Sequence, residues 1–136
     1  MSTISHLPGV TSRMIPTVRL NTHVLTSGEQ NGEPVVFVHG NASSSVYWEE
    51  IMLALPSKFY AIAPDLRGYG QTEDLLIDAT RGALDWTEDL KALSDVLGDR
   101  PAHLLGWSLG AAPVMQFAML YPELVKSLVL VNPISP

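Results

Sequence analysis

The chain has 136 residues, with 8 basic against 14 acidic side chains and a formal net charge of −6. That balance excludes a phosphate-backbone binder, which needs a basic face to displace counterions, so no nucleic-acid partner is expected. Hydrophobic residues make up 46% and charged residues 16%, a composition for one packed domain and not a disordered chain. The absence of cysteine excludes disulfides and thiolate metal sites.

Residues 1–12 read as a loose amino-terminal arm without the apolar core of a signal peptide. Apolar runs extend only a few residues, against roughly 20 for a bilayer crossing, so no membrane span and a cytoplasmic location are expected. Residues 13–27 suggest two short strands, with a turn near Asn21 and a stop at Ser27-Gly28. The turn-forming stretch 28–34 is expected as a surface loop. The run Val35 to Val38 has no polar alternation, which predicts a strand buried on both faces; similar runs follow at 59–63, 103–107 and 127–131.

Between these strands lie helical patterns. Val46 to Leu55 predicts a helix capped by the preceding serines and closed by Pro56. Trp86, Leu90, Leu93 and Leu97 fall on one helical stripe, with Gly98 at the place of a carboxyl-terminal cap. Leu109 to Leu120 is apolar on nearly every side, as in an interior helix, with Pro113 about one turn in, where its missing N–H costs little. Strands alternating with helices predict an α/β fold: a parallel sheet of about six strands with three main helices. Chemistry in such sheets sits beyond the carboxyl ends of strands, here His39-Gly40-Asn41, Pro64-Asp65-Leu66, Ser108 and Asn132-Pro133.

The strongest chemical signal is Gly106-Trp107-Ser108-Leu109-Gly110, between a buried strand and a helix. A serine hydroxyl attacks well only when exposed, oriented and relieved of its proton, and a tight strand-to-helix turn supplies the first two conditions. Ser108 is therefore the candidate catalytic residue. The Leu109 N–H at the helix start is one candidate oxyanion donor, and the Asn41 N–H beyond the strand 35–38 is the second.

These motifs resemble the amino-terminal part of the α/β-hydrolase superfamily. The resemblance runs through V-V-F-V-H-G-N-A-S-S-S at 35–45, A-P-D-L-R-G-Y-G-Q-T at 63–72 and H-L-L-G-W-S-L-G-A-A at 103–112, and covers residues 18–136. The H-G-N-x-x-S-S stretch is similar to the haloalkane dehalogenases, where an Asn at the position of Asn41 helps hold halide. Those enzymes and the epoxide hydrolases need an aspartate nucleophile, so Ser108 implies the serine branch of esterases, lipases and related hydrolases. The resemblance further implies an eight-stranded sheet, of which the chain matches six, so that the last two strands, the cap region and the triad's acid and histidine are expected to be missing.

Four histidines occur, His6, His23, His39 and His103, and none follows Ser108; the sole carboxylate that does is Glu123. His103 lies five residues before Ser108 on one strand, about 16 Å away and beyond proton-transfer reach. His39 is expected to anchor the oxyanion loop, with a base role as the alternative, and His23 is expected at the surface of a hairpin. Asp65 is expected to brace the loop Arg67-Gly68-Tyr69-Gly70. Tyr47, Trp48 and Trp107 are expected in core packing, with an acyl pocket as the alternative.

The expected function is hydrolysis of a small carboxylic ester through an acyl-enzyme on Ser108, at a low or partner-dependent rate. No cofactor and no metal are expected, because no phosphate loop or ligand cluster occurs. The alternative is a non-catalytic association or binding module. The strand 127–132 is expected to form an exposed apolar edge, which favours a homo-oligomer, most simply a dimer.

Overall fold

The computed structural model describes residues 4–135, so residues 1–3 of the expected arm lie outside the description. The first hairpin pairs β1 (Thr11–Pro16) with β2 (Asn21–Ser27) antiparallel. Its turn occupies 17–20 and not Asn21, because the Thr17 hydroxyl accepts from the Arg19 and Leu20 amides and donates to the Leu20 carbonyl. The arm is also shorter than 1–12: Thr11 and Ser12 already pair with Thr26 and Leu25. Residues 4–10 are tethered, with the Leu7 N–H donating to Glu49 at 2.8 Å and Val10 packed on the core beside Leu25 and Trp48.

The apolar runs become β3 (Glu33–Val38), β4 (Phe59–Pro64), β5 (Ala102–Trp107) and β6 (Val125–Val131). β3 starts inside the expected loop 28–34, since Glu33 and Pro34 pair with Phe59 and Tyr60. The sheet order is β1-β2-β4-β3-β5-β6, with β4, β3, β5 and β6 mutually parallel and β2 antiparallel to β4.

Three helices cover this sheet. α1 (Glu49–Ala54) follows a 3-10 turn at Ser45–Trp48, so the expected helix 46–55 is divided. No serine side chain caps it; the Ser45 N–H instead donates to Asp65 at 2.7 Å. α2 (Leu84–Val96) ends as expected, with Gly98 at φ 93° and the Asp99 N–H returning to the Ser94 carbonyl. α3 (Ala111–Leu120) begins after a 3-10 turn at Ser108–Gly110, and Pro113 falls within its first turn.

The core divides by sheet face. On one face Val114 and Phe117 of α3 and Leu90 of α2 meet Leu104 and Val38. On the other, Trp48 and Met52 meet Leu25, Val35 and Phe37. Because α1 has six residues, it leaves the β5–β6 end of its face uncovered, where Val129 and Val131 are 46% and 39% exposed. Among the described residues no helix is long and apolar enough to cross a membrane.

Buried charge fastens α2 to the loop before it. Asp89, 7% exposed, accepts from Arg67 through Nε and Nη2, each at 2.8 Å, and from Arg19 Nε at 2.7 Å. Removing Asp89 strands the buried Arg67 without a carboxylate, while Arg19 keeps Asp85 and Glu88. Asp89→Ala is expected to cost about 3–5 kcal/mol in urea unfolding. For a chain of residues 1–136 alone, sedimentation at low micromolar concentration tests the expected homo-oligomer: dimers or larger species are expected, shifted toward monomer by Val129→Lys.

Candidate functional site

β5 is a buried strand whose carboxyl end runs straight into a helical turn, and the chain must reverse direction within a residue. Ser108 absorbs that reversal at φ 55°, a left-handed conformation that strains a residue with a Cβ. The strain persists because the turn is clamped from below and from the side. A Cβ on Gly110 would lie 2.3 Å from the His39 carbonyl oxygen and 2.5 Å from that of Val38, so only glycine lets the helix start descend onto β3. From the other side, a Cβ on Gly40 would lie 2.9 Å from Trp107 and 3.1 Å from the Ser108 Cβ. The His39-Gly40-Asn41 loop and the Ser108 turn are therefore in direct contact.

Ser108, Leu109 and Asn41 are thus brought to one end of the sheet. Ser108 and Leu109 are half-buried, and Asn41 is exposed, its side-chain oxygen accepting from the Tyr69 hydroxyl at 2.7 Å. Leu109 is the second residue of the 3-10 turn Ser108–Gly110 that leads into α3, where the first amides lack intrahelical partners. After β6 the chain bends at Asn132, φ 45°, and the Ile134 N–H donates to the Ser108 carbonyl at 3.2 Å.

The aromatic residues separate by role. Trp48 is core, 3% exposed and 5.2 Å from the Phe37 ring. Tyr47 is not core: it is 52% exposed and stacks at 4.4 Å on Trp107, making an apolar wall beside the serine turn.

His23, His39 and His103 are hydrogen-bonded away from Ser108, and His6 lies against Glu49. His39 is fully buried; its Nε2 accepts from the Leu66 N–H at 3.0 Å, so Nδ1 carries the proton and donates to the Gly40 carbonyl at 2.8 Å. Burial pushes its pKa below the ordinary histidine value, against the Gly40 bond and the Asp65 charge, and both nitrogens are occupied. It anchors the loop and has no lone pair left for Ser108. His103 bonds Ser127 and Glu33, and His6 faces Glu49 at 3.4 Å.

His23 departs from the expected surface position: it is 2% exposed, because β1 covers β2 on its outer side. Its Nδ1 meets Asp65 at 2.7 Å and its Nε2 meets the Ser12 hydroxyl at 2.6 Å. Asp65 also accepts from the Ser45 N–H and, at 2.9 Å, the Gln71 N–H, so it braces both loops beside the site and not only the one after Arg67. The placement of Asp65 just after a strand signalled a brace; nothing in the local pattern signalled its histidine partner.

Burial opposes ionisation of Asp65, but His23 and the Gln71 and Ser45 amides outweigh it and hold the carboxyl below the usual range. Its contribution to stability is therefore complete above the ordinary aspartate pKa of about 3.9 and is lost as pH falls through the depressed folded value. Asp65→Asn is expected to lower stability at neutral pH by about 2 kcal/mol and to flatten this acid limb, read from urea midpoints across the acid range.

The comparisons with known proteins agree with this architecture. The family model described as alpha/beta hydrolase fold matches residues 33–136. The 2-hydroxy-6-oxononadienedioate/2-hydroxy-6-oxononatrienedioate hydrolase of Comamonas testosteroni is 30% identical over 136 residues, 97% of this chain and 46% of that protein. Carboxylesterase YbfK of Bacillus subtilis is 31% identical over 112 residues, 82% of this chain and 38% of the relative. The crystal structure of an epoxide hydrolase from Vigna radiata superposes with a TM-score of 0.83 at 30% identity, covering 93% of this chain and 39% of that one. The chain thus spans less than half the length of these relatives. With the matched region taking in β3, the Gly40 loop, the Ser108 turn and β6, the chain belongs to the alpha/beta hydrolase fold family.

Proposed function

We propose that this chain carries the nucleophile half of a serine hydrolase site for small carboxylic esters. Ser108 Oγ attacks the ester carbonyl carbon, the alcohol leaves with a proton, and water then hydrolyses the acyl-serine. The Leu109 and Asn41 N–H groups are the assigned donors to the oxyanion. The observation that carries this reading is the left-handed φ of 55° at Ser108, held by close contacts on two sides at the head of a helix. A strained, non-glycine residue in that place is the arrangement of a nucleophile elbow.

Residue type narrows the chemistry. A serine at 108 forms an acyl ester, whereas the dehalogenase and epoxide hydrolase branches require a carboxylate there. The name of the Bacillus relative, a carboxylesterase, supports the same choice. The exposed Tyr47–Trp107 stack offers an apolar surface for the acyl or alcohol portion.

Activation is the weak point of the site. The histidines are bonded to Leu66, Gly40, Asp65, Ser12, Ser127 and Glu33 or face Glu49, and no hydrogen bond joins any of them to Ser108 among the described residues. Oxyanion stabilisation and binding alone leave roughly 10³–10⁴-fold acceleration over water in a serine protease stripped of its triad. Those engaged histidines also favour a second reading, a non-catalytic association module.

Slow turnover of a short-chain aryl ester is expected, falling to the buffer rate in Ser108→Ala, with a fluorophosphonate labelling Ser108 in the folded protein. Equal turnover in Ser108→Ala would remove this serine from the reaction. Folded protein that neither hydrolyses the ester nor takes the label would support the association module instead.

A further inference from the structure

At the opposite end of the sheet, beneath the starts of β3, β4 and β5, the helices do not close onto the strands. A cavity of about 250 Å³ lies there, walled by Leu90, Leu93, Leu104 and Phe117. Its floor includes Ala102, the first residue of β5. Ser108 follows six residues later, about 20 Å along an extended strand, so the cavity is separate from the serine turn.

Two arginines also line the cavity, and among the described residues neither pairs with a carboxylate. Arg13 reaches it from β1; its Nε is shut off from solvent with no hydrogen-bond partner. The guanidinium meets only the Tyr60 hydroxyl, at a long 3.4 Å. Arg100 donates to the carbonyls of Gln30, Asn31 and Gly32, which are neutral acceptors. By contrast Arg19, Arg67 and Arg81 all pair with carboxylates of α2. Arg13 is part-buried at the wall of an apolar cavity, and its Nη donors meet only a neutral hydroxyl. An anionic head with an apolar tail fits both the guanidinium and the lining.

We propose that this cavity binds an aliphatic monocarboxylate, with the carboxylate on Arg13 and the tail between Leu90, Leu93 and Phe117. A volume of about 250 Å³ admits a medium-length aliphatic tail, for which an eight-carbon acid is the probe. An arginine fork suits a carboxylate because it offers parallel N–H donors, and the Nη groups of Arg13, held only by the long Tyr60 contact, are the ones to give them. The site depends on no role of Ser108.

The test is calorimetric titration of the intact chain with octanoate, with octanol as the neutral match. Saturable octanoate binding is expected, with octanol at least about tenfold weaker. Arg13→Gln should lose about tenfold in octanoate affinity, and Leu93→Trp, which fills the cavity, should abolish binding. Ser108→Ala should bind octanoate unchanged. Circular dichroism establishes that each variant is folded, and Leu97→Phe serves as the filling variant if Leu93→Trp does not fold. The proposal is overturned if octanoate shows no saturable binding up to about 1 mM, if octanol binds equally, or if affinity survives both Arg13→Gln and the filling substitution.

Discussion

The geometry around Ser108 rests on how closely two segments of backbone approach. Gly110 sits on the carbonyls of Val38 and His39, and Gly40 lies against Trp107 and Ser108, so β3's exit loop and β5's exit turn lock together. Neither loop would hold its conformation alone, since a left-handed serine pays a steric cost wherever its surroundings do not impose it. The imposition comes from parallel pairing of β3 with β5, which sets Val38 opposite Gly106 and delivers both loops to the same height.

Around that contact, buried polar groups act as fasteners. His39 ties the Gly40 carbonyl to the Leu66 amide, and Asp65 ties β2 through His23 to the amides of Ser45 and Gln71. Each such group would be costly in the interior without a partner, and each has one. The result is a rigid platform in which three loops beyond the carboxyl ends of β3, β4 and β5 are fixed relative to one another. His39 and His23 serve this rigidity and are thereby committed away from Ser108.

The molecule is asymmetric in how well its surfaces are finished. β1 is an edge strand like β6, but its hairpin is fastened to α2 by part-buried ion pairs from Arg19. The β6 side exposes Val129 and Val131, on the face that the short α1 does not reach. The chain spans less than half the length of the relatives it matches. Unpaired strand groups and apolar side chains at an edge favour any partner that covers them.

The amino-acid sequence by itself determined the strand runs, the helix stripe ending at Gly98, the α/β architecture and the Gly-x-Ser-x-Gly turn. These are local or short-period signals: apolar continuity, a repeat near 3.6 residues, and glycines required by a tight turn. Only the tertiary structure decided that His23 is buried on Asp65, that Ser45 gives its amide to a carboxylate rather than capping a helix, and that Tyr47 stands exposed while Trp48 is core. It alone brought Arg13 to the wall of a cavity lined by α2, α3 and β5. Partners such as His23 and Asp65 lie 42 positions apart, and their meeting depends on strand order and register, which no local spacing encodes.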